Sequence, residues 1–277
     1  MARKKKKNKY KIFVCFVIFS TLLFGFIGLL LFQKFFKVEE SIFEIEPRSS
    51  NVVENKKKDN DEYETIGWLR VQGTNIDCPI ITGKTELYRY PVELEKYGWM
   101  TNKDKKNYNV MNIFGHNIFN LGPSPKKSSN NFKRFEELMN FIYHDFAQEN
   151  KYIQFTINGK DYVYKIFSVS IIYAFDVDMF PEGEYSKQEK KDYIKLLRDN
   201  SIYDYDVDVL EEDDLISIVT CTRFLGTDAY RDILVSGRLV RDDEKIYNNY
   251  SINKNNNYKK IDKVLKGDDN NEEIGSA

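Results

Sequence analysis

The residues best suited to covalent chemistry lie in the stretch VTCTRFLGTDAYR at 219–231. Cys221 ends one apolar run, and Arg231 begins the next apolar run ten positions later. If the two runs are strands of one hairpin, the guanidinium can stabilise a thiolate or the oxyanion of a tetrahedral intermediate. Cys221 is therefore a candidate nucleophile. The alternatives are a small buried cysteine, a solvated Arg231, and Arg223 as the rival cation.

A nucleophilic cysteine needs a partner that takes its proton, and this partner is usually histidine. The chain contains only His116 and His144. His116 follows an apolar run and stands directly after Gly115, and a histidine in a loop at a strand end is typical of a functional site. His144 lies two positions beyond Ile142 on a predicted helix, which is about 200° around it. We therefore expect His116 to be functional and His144 to face solvent.

The three cysteines do not indicate a disulfide scaffold or a metal centre. Cys15 lies in a long apolar segment, whereas Cys78 and Cys221 lie in the later part of the chain. A bridge between the last two is formally allowed, but a sparse, odd set is not typical of a disulfide framework. We expect Cys78, within a strand-like run, to be a packing residue. No cysteine or histidine pair has metal-ligand spacing, so we predict no metal and no cofactor.

Residues 62–241 have the pattern of one mostly β domain of roughly 175 residues with two inserted helices. Short β-branched and aromatic runs alternate with Gly, Asn and Lys turns, which is typical of strands. Asn158-Gly159 predicts a hairpin turn. Leu215 to Cys221 and Ile233 to Val240 are the last predicted strands.

Two segments depart from the strand pattern and predict helices. The first, 131–150, has apolar residues at helical spacing. The second begins with a capping box at Ser186 and Glu189 and runs through Arg198. The residues expected to face inward are Phe132, Phe135, Leu138, Met139, Ile142 and Phe146 on the first helix, and Tyr193, Leu196 and Leu197 on the second.

The two ends of the chain differ in composition from this domain. Residues 1–11 are basic, 12–32 carry no charge, 33–61 are rich in Asn, Lys and Glu, and 242–277 are polar with few apolar residues. A 21-residue apolar helix spans roughly 30 Å, the thickness of a bilayer core. The pattern predicts a cytoplasmic tail, a single transmembrane anchor, an extracellular stalk and a disordered C-terminal tail. A cleaved signal peptide is the alternative, but its apolar region is shorter and is followed by a small-residue cleavage site.

The overall charge gives no argument for nucleic-acid binding. The chain has 42 Lys and Arg residues against 43 Asp and Glu residues. The predicted location follows instead from the basic and apolar segments at 1–32: the cell membrane, with the mostly β domain outside.

Several of these motifs together resemble the sortases, the membrane-anchored cysteine transpeptidases of Gram-positive bacteria. The resemblance covers about 62–240 and includes the apolar strand ending in Thr-Cys, the arginine that starts the following strand, and Gly-His-Asn after an earlier strand. IGWLRVQGTNIDCPII and FEELMNFIYHDFAQENKYIQF are similar to the class B members, as is a helix before the cysteine strand. The sequence departs from the class B pattern at Cys78, where tyrosine is usual, and at Val219, where a serine or other small residue is common.

The resemblance implies a closed eight-stranded β-barrel and a set of catalytic roles. Cys221 would attack the carbonyl of a threonine in a C-terminal sorting motif, and His116 would act as general acid and then as general base. Arg231 would hold the oxyanion, and Thr220 would help to position the peptide. The implied partners are secreted proteins that bear a sorting signal, and an amine of a peptidoglycan precursor or of a pilin lysine.

Two other functions remain open at this point. One is a hydrolytic cysteine peptidase with the same pair of residues, which would transfer the acyl group to water. The other is an inactive, membrane-tethered binding domain, in which Cys221 would be no more reactive than Cys78.

Overall fold

The computed structural model describes residues 57–58, 61–83, 98–100, 109–117, 134–173, 176–180, 185–222, 224, 231–246 and 250–266. The predicted anchor at 12–32 and most of the predicted stalk lie outside these residues. No helix within the described ranges is long and apolar enough to cross a membrane.

The described residues are mainly β-strands, with helices inserted between them. The strands are β1 Lys57–Lys58, β2 Asp61–Val71, β3 Asp77–Gly83, β4 Gly98–Met100, β5 Val110–Phe114, β6 Tyr152–Ile157, β7 Lys160–Tyr173, β8 Tyr203–Tyr205, β9 Leu215–Thr222, β10 Arg231–Leu239 and β11 Ile252–Lys254. The α-helices are α1 His144–Glu149, α2 Lys187–Asn200 and α3 Tyr258–Lys266, and 3-10 helices span Arg134–Ile142 and Val177–Met179.

Eight of these strands close into a barrel, as predicted. Their order is β2-β3-β4-β5-β9-β10-β7-β6, and β6 pairs back with β2. β1 flanks β2 outside this ring. Most neighbours are antiparallel, but β9 pairs in parallel with β5 on one side and antiparallel with β10 on the other. The strand that carries Cys221 therefore lies between the strand before His116 and the strand that starts at Arg231.

The predicted hairpin turn joins β6 to β7. Asn158 and Gly159 both have positive φ, 52° and 72°. This is the type I′ geometry that Asn-Gly adopts readily and that matches the twist of the two strands.

The segment predicted as one helix at 131–150 is divided into two. A 3-10 helix runs over Arg134–Ile142, and α1 follows after Tyr143, whose backbone is extended. The predicted inward residues are buried from Phe135 to Ile142, Phe146 is half-buried, and Phe132 lies outside the described residues. The burial pattern was thus predicted correctly, while the continuous helix was not.

The predicted second helix is α2, and its N-terminus has the expected capping box. The Ser186 side chain accepts from the backbone of Glu189, and the Glu189 carboxylate accepts from the backbone of Ser186. Tyr193 and Leu197 are buried, and Leu196 is half-buried. α2 packs on β7, on the outside of the barrel.

The C-terminal segment corrects the prediction of disorder over 242–277. β11 pairs antiparallel with β8, and α3 buries Tyr258 and Ile261. Tyr250, also buried, donates from its hydroxyl to the carbonyls of Lys151 and Ile166. The prediction is wrong for residues 250–266 because a segment with few apolar residues can still fold when it packs against an existing domain.

Candidate active site

His116 stands where the sequence predicts, directly after β5. The strand continues into Gly115, whose backbone N–H donates to the carbonyl of Val219 at 3.0 Å. A Cβ at position 115 would come within 2.1–2.3 Å of the Phe135 ring, so only glycine fits between the strand and that ring. The half-buried His116 ring lies 4.7 Å from the Trp99 ring, centroid to centroid. Packing against Trp99 orients the imidazole at the edge of the barrel.

Cys221 lies near the end of β9 and is exposed. Its Sγ donates to the carbonyl of Asn117 at 3.3 Å, and the Asn117 side-chain Nδ2 donates to the carbonyl of Cys221 at 2.9 Å. Asn117 is itself 2% exposed, so one side of both bonds is buried while Cys221 stays accessible. Cys221 and the residue after His116 are therefore joined by two reciprocal hydrogen bonds.

Thr220 links the same two elements from the other side of the strand. It is 2% exposed, and its hydroxyl donates to the carbonyl of Gly115 at 2.7 Å. This hydroxyl binds the loop that carries His116. The predicted contact with peptide remains untested.

Arg231 begins β10, as predicted, and lies opposite Thr222 in the ladder, one position from Cys221. Its guanidinium carbon lies 4.0 Å from the centre of the Tyr173 ring, a cation–π contact. The buried Nε of Arg231 has no hydrogen-bond acceptor among the described residues. The guanidinium thus rests on Tyr173 and has a donor available for a further partner.

Asp232 is the ladder partner of Cys221 itself. It is 9% exposed, and burial raises the pKa of its carboxyl to about 6. Sequence reasoning did not identify this residue or Asn117. The one available signal for Asp232 was an acidic residue directly before an apolar run in the same strand.

His144 is not the ordinary surface residue that was expected. Its side chain is 26% exposed, and its Nε2 is 2.8 Å from the carbonyl of Ile252 on β11. Its ring also lies 5.7 Å from that of Tyr203. The expectation that His144 faces solvent is wrong because the C-terminal segment covers that side of α1.

The prediction that Cys78 is a packing residue is confirmed, because Cys78 is buried in the core and is not in a disulfide. No cluster of His, Cys, Asp and Glu suited to a metal ion occurs within the described ranges. The chemistry available at the barrel edge is that of a thiol, an imidazole, a guanidinium and a carboxyl.

Comparison with known families finds one matching model, the sortase domain, over residues 69–240. Comparison with curated proteins gives no match.

Among solved structures, sortase B of Clostridium perfringens superposes with a TM-score of 0.52 at 22% identity, covering 64% of this chain and 94% of that one. A Staphylococcus aureus sortase B–substrate complex gives 0.52 at 18% identity, covering 65% and 81%. Sortase B from the type II pilus of Streptococcus pneumoniae gives 0.51 at 21% identity, covering 63% and 91%. These similarities establish the fold.

Proposed function

We propose that this chain, which belongs to the sortase family, is a class B member and a membrane-anchored transpeptidase that uses Cys221 as its nucleophile. The observation that carries the proposal is the pair of hydrogen bonds between Cys221 and Asn117, which holds the exposed thiol beside the loop of His116. An accessible thiol held beside the loop that carries a histidine suits nucleophilic catalysis.

In the first half-reaction, the thiol of Cys221 gives its proton to His116, and its Sγ attacks the carbonyl carbon of a threonine in the sorting motif of a secreted protein. The C–N bond breaks, the leaving amine takes a proton from His116, and the acyl group remains on Cys221 as a thioester. In the second half-reaction, an acceptor amine attacks the thioester carbonyl and gives its proton to His116. The C–S bond breaks and an amide forms.

Arg231 supplies positive charge for the oxyanion in both steps. Its Nε, which has no acceptor among the described residues, supports this role. The guanidinium must turn from the Tyr173 ring toward the carbonyl oxygen, and a flexible arginine at a strand end permits such a movement. Thr220 acts on the peptide through the backbone that it holds.

The proposed substrates are secreted proteins with a C-terminal sorting signal, and the acceptor is an amine of the cell wall or of a pilin lysine. The basic segment before the apolar run at 12–32 favours a cytoplasmic N-terminus and an extracellular barrel. On that side of the membrane, secreted substrates and cell-wall precursors meet.

The test is product analysis with a library of sorting-motif peptides, with and without triglycine as the amine. A transpeptidase diverts product from the free acid to the amide when triglycine is present, and Cys221→Ala gives neither product. Acid that no amine diverts would instead indicate a hydrolytic peptidase. Absence of any cleavage across the library would indicate an inactive binding domain.

The roles of His116 and Arg231 are tested in the same assay. His116→Ala and Arg231→Ala should each lower the chemical step by roughly 10²-fold or more, the scale of losing a general acid–base or an oxyanion donor. His144→Ala is the matched control, because its imidazole binds the C-terminal segment and should leave turnover close to wild type. A damaging His144→Ala with a harmless His116→Ala would contradict the assignment.

A further inference from the structure

A carboxyl group faces the nucleophile across the β9–β10 ladder. Asp232 and Cys221 are directly opposed in this antiparallel pair. Directly opposed residues project to the same face of a sheet, with Cβ atoms about 4.5–5.5 Å apart. Because Cys221 is exposed, molecules that reach its sulfur also approach the carboxyl of Asp232.

The described residues around Asp232 do not neutralise this carboxyl. On its other side the ladder partner is Ile172, which is apolar. Arg231 precedes it in the chain, but that guanidinium rests on Tyr173. Cys221 is the titratable group that faces it from β9, and burial alone accounts for the raised carboxyl pKa.

The carboxyl also makes no hydrogen bond or ion pair with any described residue. At 9% exposure, burial disfavours the charged form of this carboxyl, and titratable groups perturbed in this way cluster at functional sites. Ionised at neutral pH, Asp232 is an acceptor without a donor, positioned beside the thioester that Cys221 would form.

We propose that Asp232 binds the acceptor amine of the second half-reaction as its ammonium form. This inference rests on the proposed transpeptidase function and identifies the residue that recognises the acceptor. A primary amine carries a proton at neutral pH, and a carboxylate opposite Cys221 attracts that charge and accepts one N–H bond. The role belongs to the second half-reaction, because in the first a carboxylate close to Cys221 opposes formation of the thiolate.

The reaction balances with this assignment. The bound ammonium gives one proton to His116, and the freed nitrogen lone pair attacks the thioester carbonyl carbon. The C–N bond forms, the C–S bond breaks, and the departing sulfur of Cys221 takes a second proton from the nitrogen. The products are the amide, the thiol and one proton, which His116 releases to solvent.

The experiment measures the two half-reactions separately and compares full-length wild type with full-length Asp232→Asn. This substitution keeps the shape of the side chain and removes its charge. The donor is the library peptide that wild type cleaves fastest, and the acceptors are triglycine and hydroxylamine, which is uncharged at neutral pH. We expect the triglycine concentration for half-maximal amide formation to rise about 10-fold in Asp232→Asn, the scale of losing one charge-assisted hydrogen bond. Release of the leaving peptide without amine should not fall below the wild-type rate, because removing the carboxylate leaves formation of the Cys221 thiolate unopposed. Half-saturation by hydroxylamine should stay within about 2-fold of wild type.

Asp206→Asn, which removes an exposed carboxylate distant in the chain, controls for the change in net charge. Equal half-saturation by triglycine in wild type and Asp232→Asn would overturn the inference. An equal loss with triglycine and hydroxylamine would also overturn it, because that result indicates a structural role. If wild type itself releases no leaving peptide, the proposed transpeptidase function fails, and this inference fails with it.

Discussion

At the scale of single residues, the site depends on Asn117 as much as on the residues that do chemistry. The sequence identified His116 and Cys221 through their positions at the ends of apolar runs. It could not identify Asn117, because its bonds to Cys221 arise only when β5 and β9 lie side by side, 104 residues apart in the chain.

Asn117→Ala should therefore reduce both turnover and stability. The change removes the side-chain donor to the carbonyl of Cys221, and losing such a hydrogen bond costs roughly 0.5–1.5 kcal/mol. We expect the rate of thioester formation to fall about 10-fold because the thiol loses its fixed position. Asn200→Ala is the control, since its exposed amide also donates to a backbone carbonyl, that of Leu196. Similar small effects in the two variants, measured by urea unfolding and single-turnover kinetics, would contradict this account.

The buried carboxyl of Asp232 leads to a separate prediction about how stability depends on pH. Burial raises its pKa from 3.8 to about 6, so the folded state binds this proton more tightly than the unfolded state. The folded protein therefore loses stability as the pH rises from 3.8 to about 6, and the loss stays constant above that range. Asp232→Asn should be more stable than wild type above this range, by on the order of 2 kcal/mol.

The difference in stability between wild type and Asp232→Asn should disappear in acid, where the side chain at position 232 is neutral in both proteins. The measurement is the free energy of unfolding of both proteins across the pH range. A difference that does not change with pH would show that the carboxyl of Asp232 is not buried in the folded protein.

At the scale of elements, local signals predicted the positions of the helices and turns, and partner elements decided the rest. The capping box at Ser186 and the turn at Asn158 are short-range features, so sequence alone identified them. The break at Tyr143 and the ordering of 250–266 depend on contacts distant in the chain. β11 has three residues and forms because β8 is there to pair with it.

The C-terminal segment should accordingly contribute to stability. Ile261 on α3 is 1% exposed, so Ile261→Ala should lower the free energy of unfolding by about 2–4 kcal/mol. Lys259→Ala, on the exposed side of the same helix, should change it by less than about 0.5 kcal/mol. Chemical denaturation of wild type and both variants measures these differences in the free energy of unfolding. If Ile261→Ala is as mild as Lys259→Ala, α3 is not packed on the domain in solution.

At the scale of the whole molecule, the barrel brings the ends of β5, β9 and β10 together. Closure of β2 on β6 and the parallel pairing of β5 with β9 bring the loop of His116 to the end of the cysteine strand. Periodicity predicted the strands, but the closed eight-stranded barrel followed only from the family resemblance, because short strands give no local signal for their partners.

The membrane anchor is also a prediction about the whole molecule. The apolar segment at 12–32 is too long for the apolar region of a signal peptide, so the mature protein should keep its N-terminus and remain in the membrane fraction. Mass spectrometry of the protein purified from membranes of the producing cells measures this. A mature N-terminus beyond Phe32 would contradict the anchor.

The central claim is that Cys221 forms a covalent acyl-enzyme, and intact-protein mass spectrometry after acid quenching tests it most directly. With a cleavable donor peptide and no amine, wild type and Cys78→Ala should both gain the mass of the acyl fragment, and digestion should map it to Cys221. Cys221→Ala should gain no mass. An adduct that persists in Cys221→Ala, or that maps to another residue, would contradict the account.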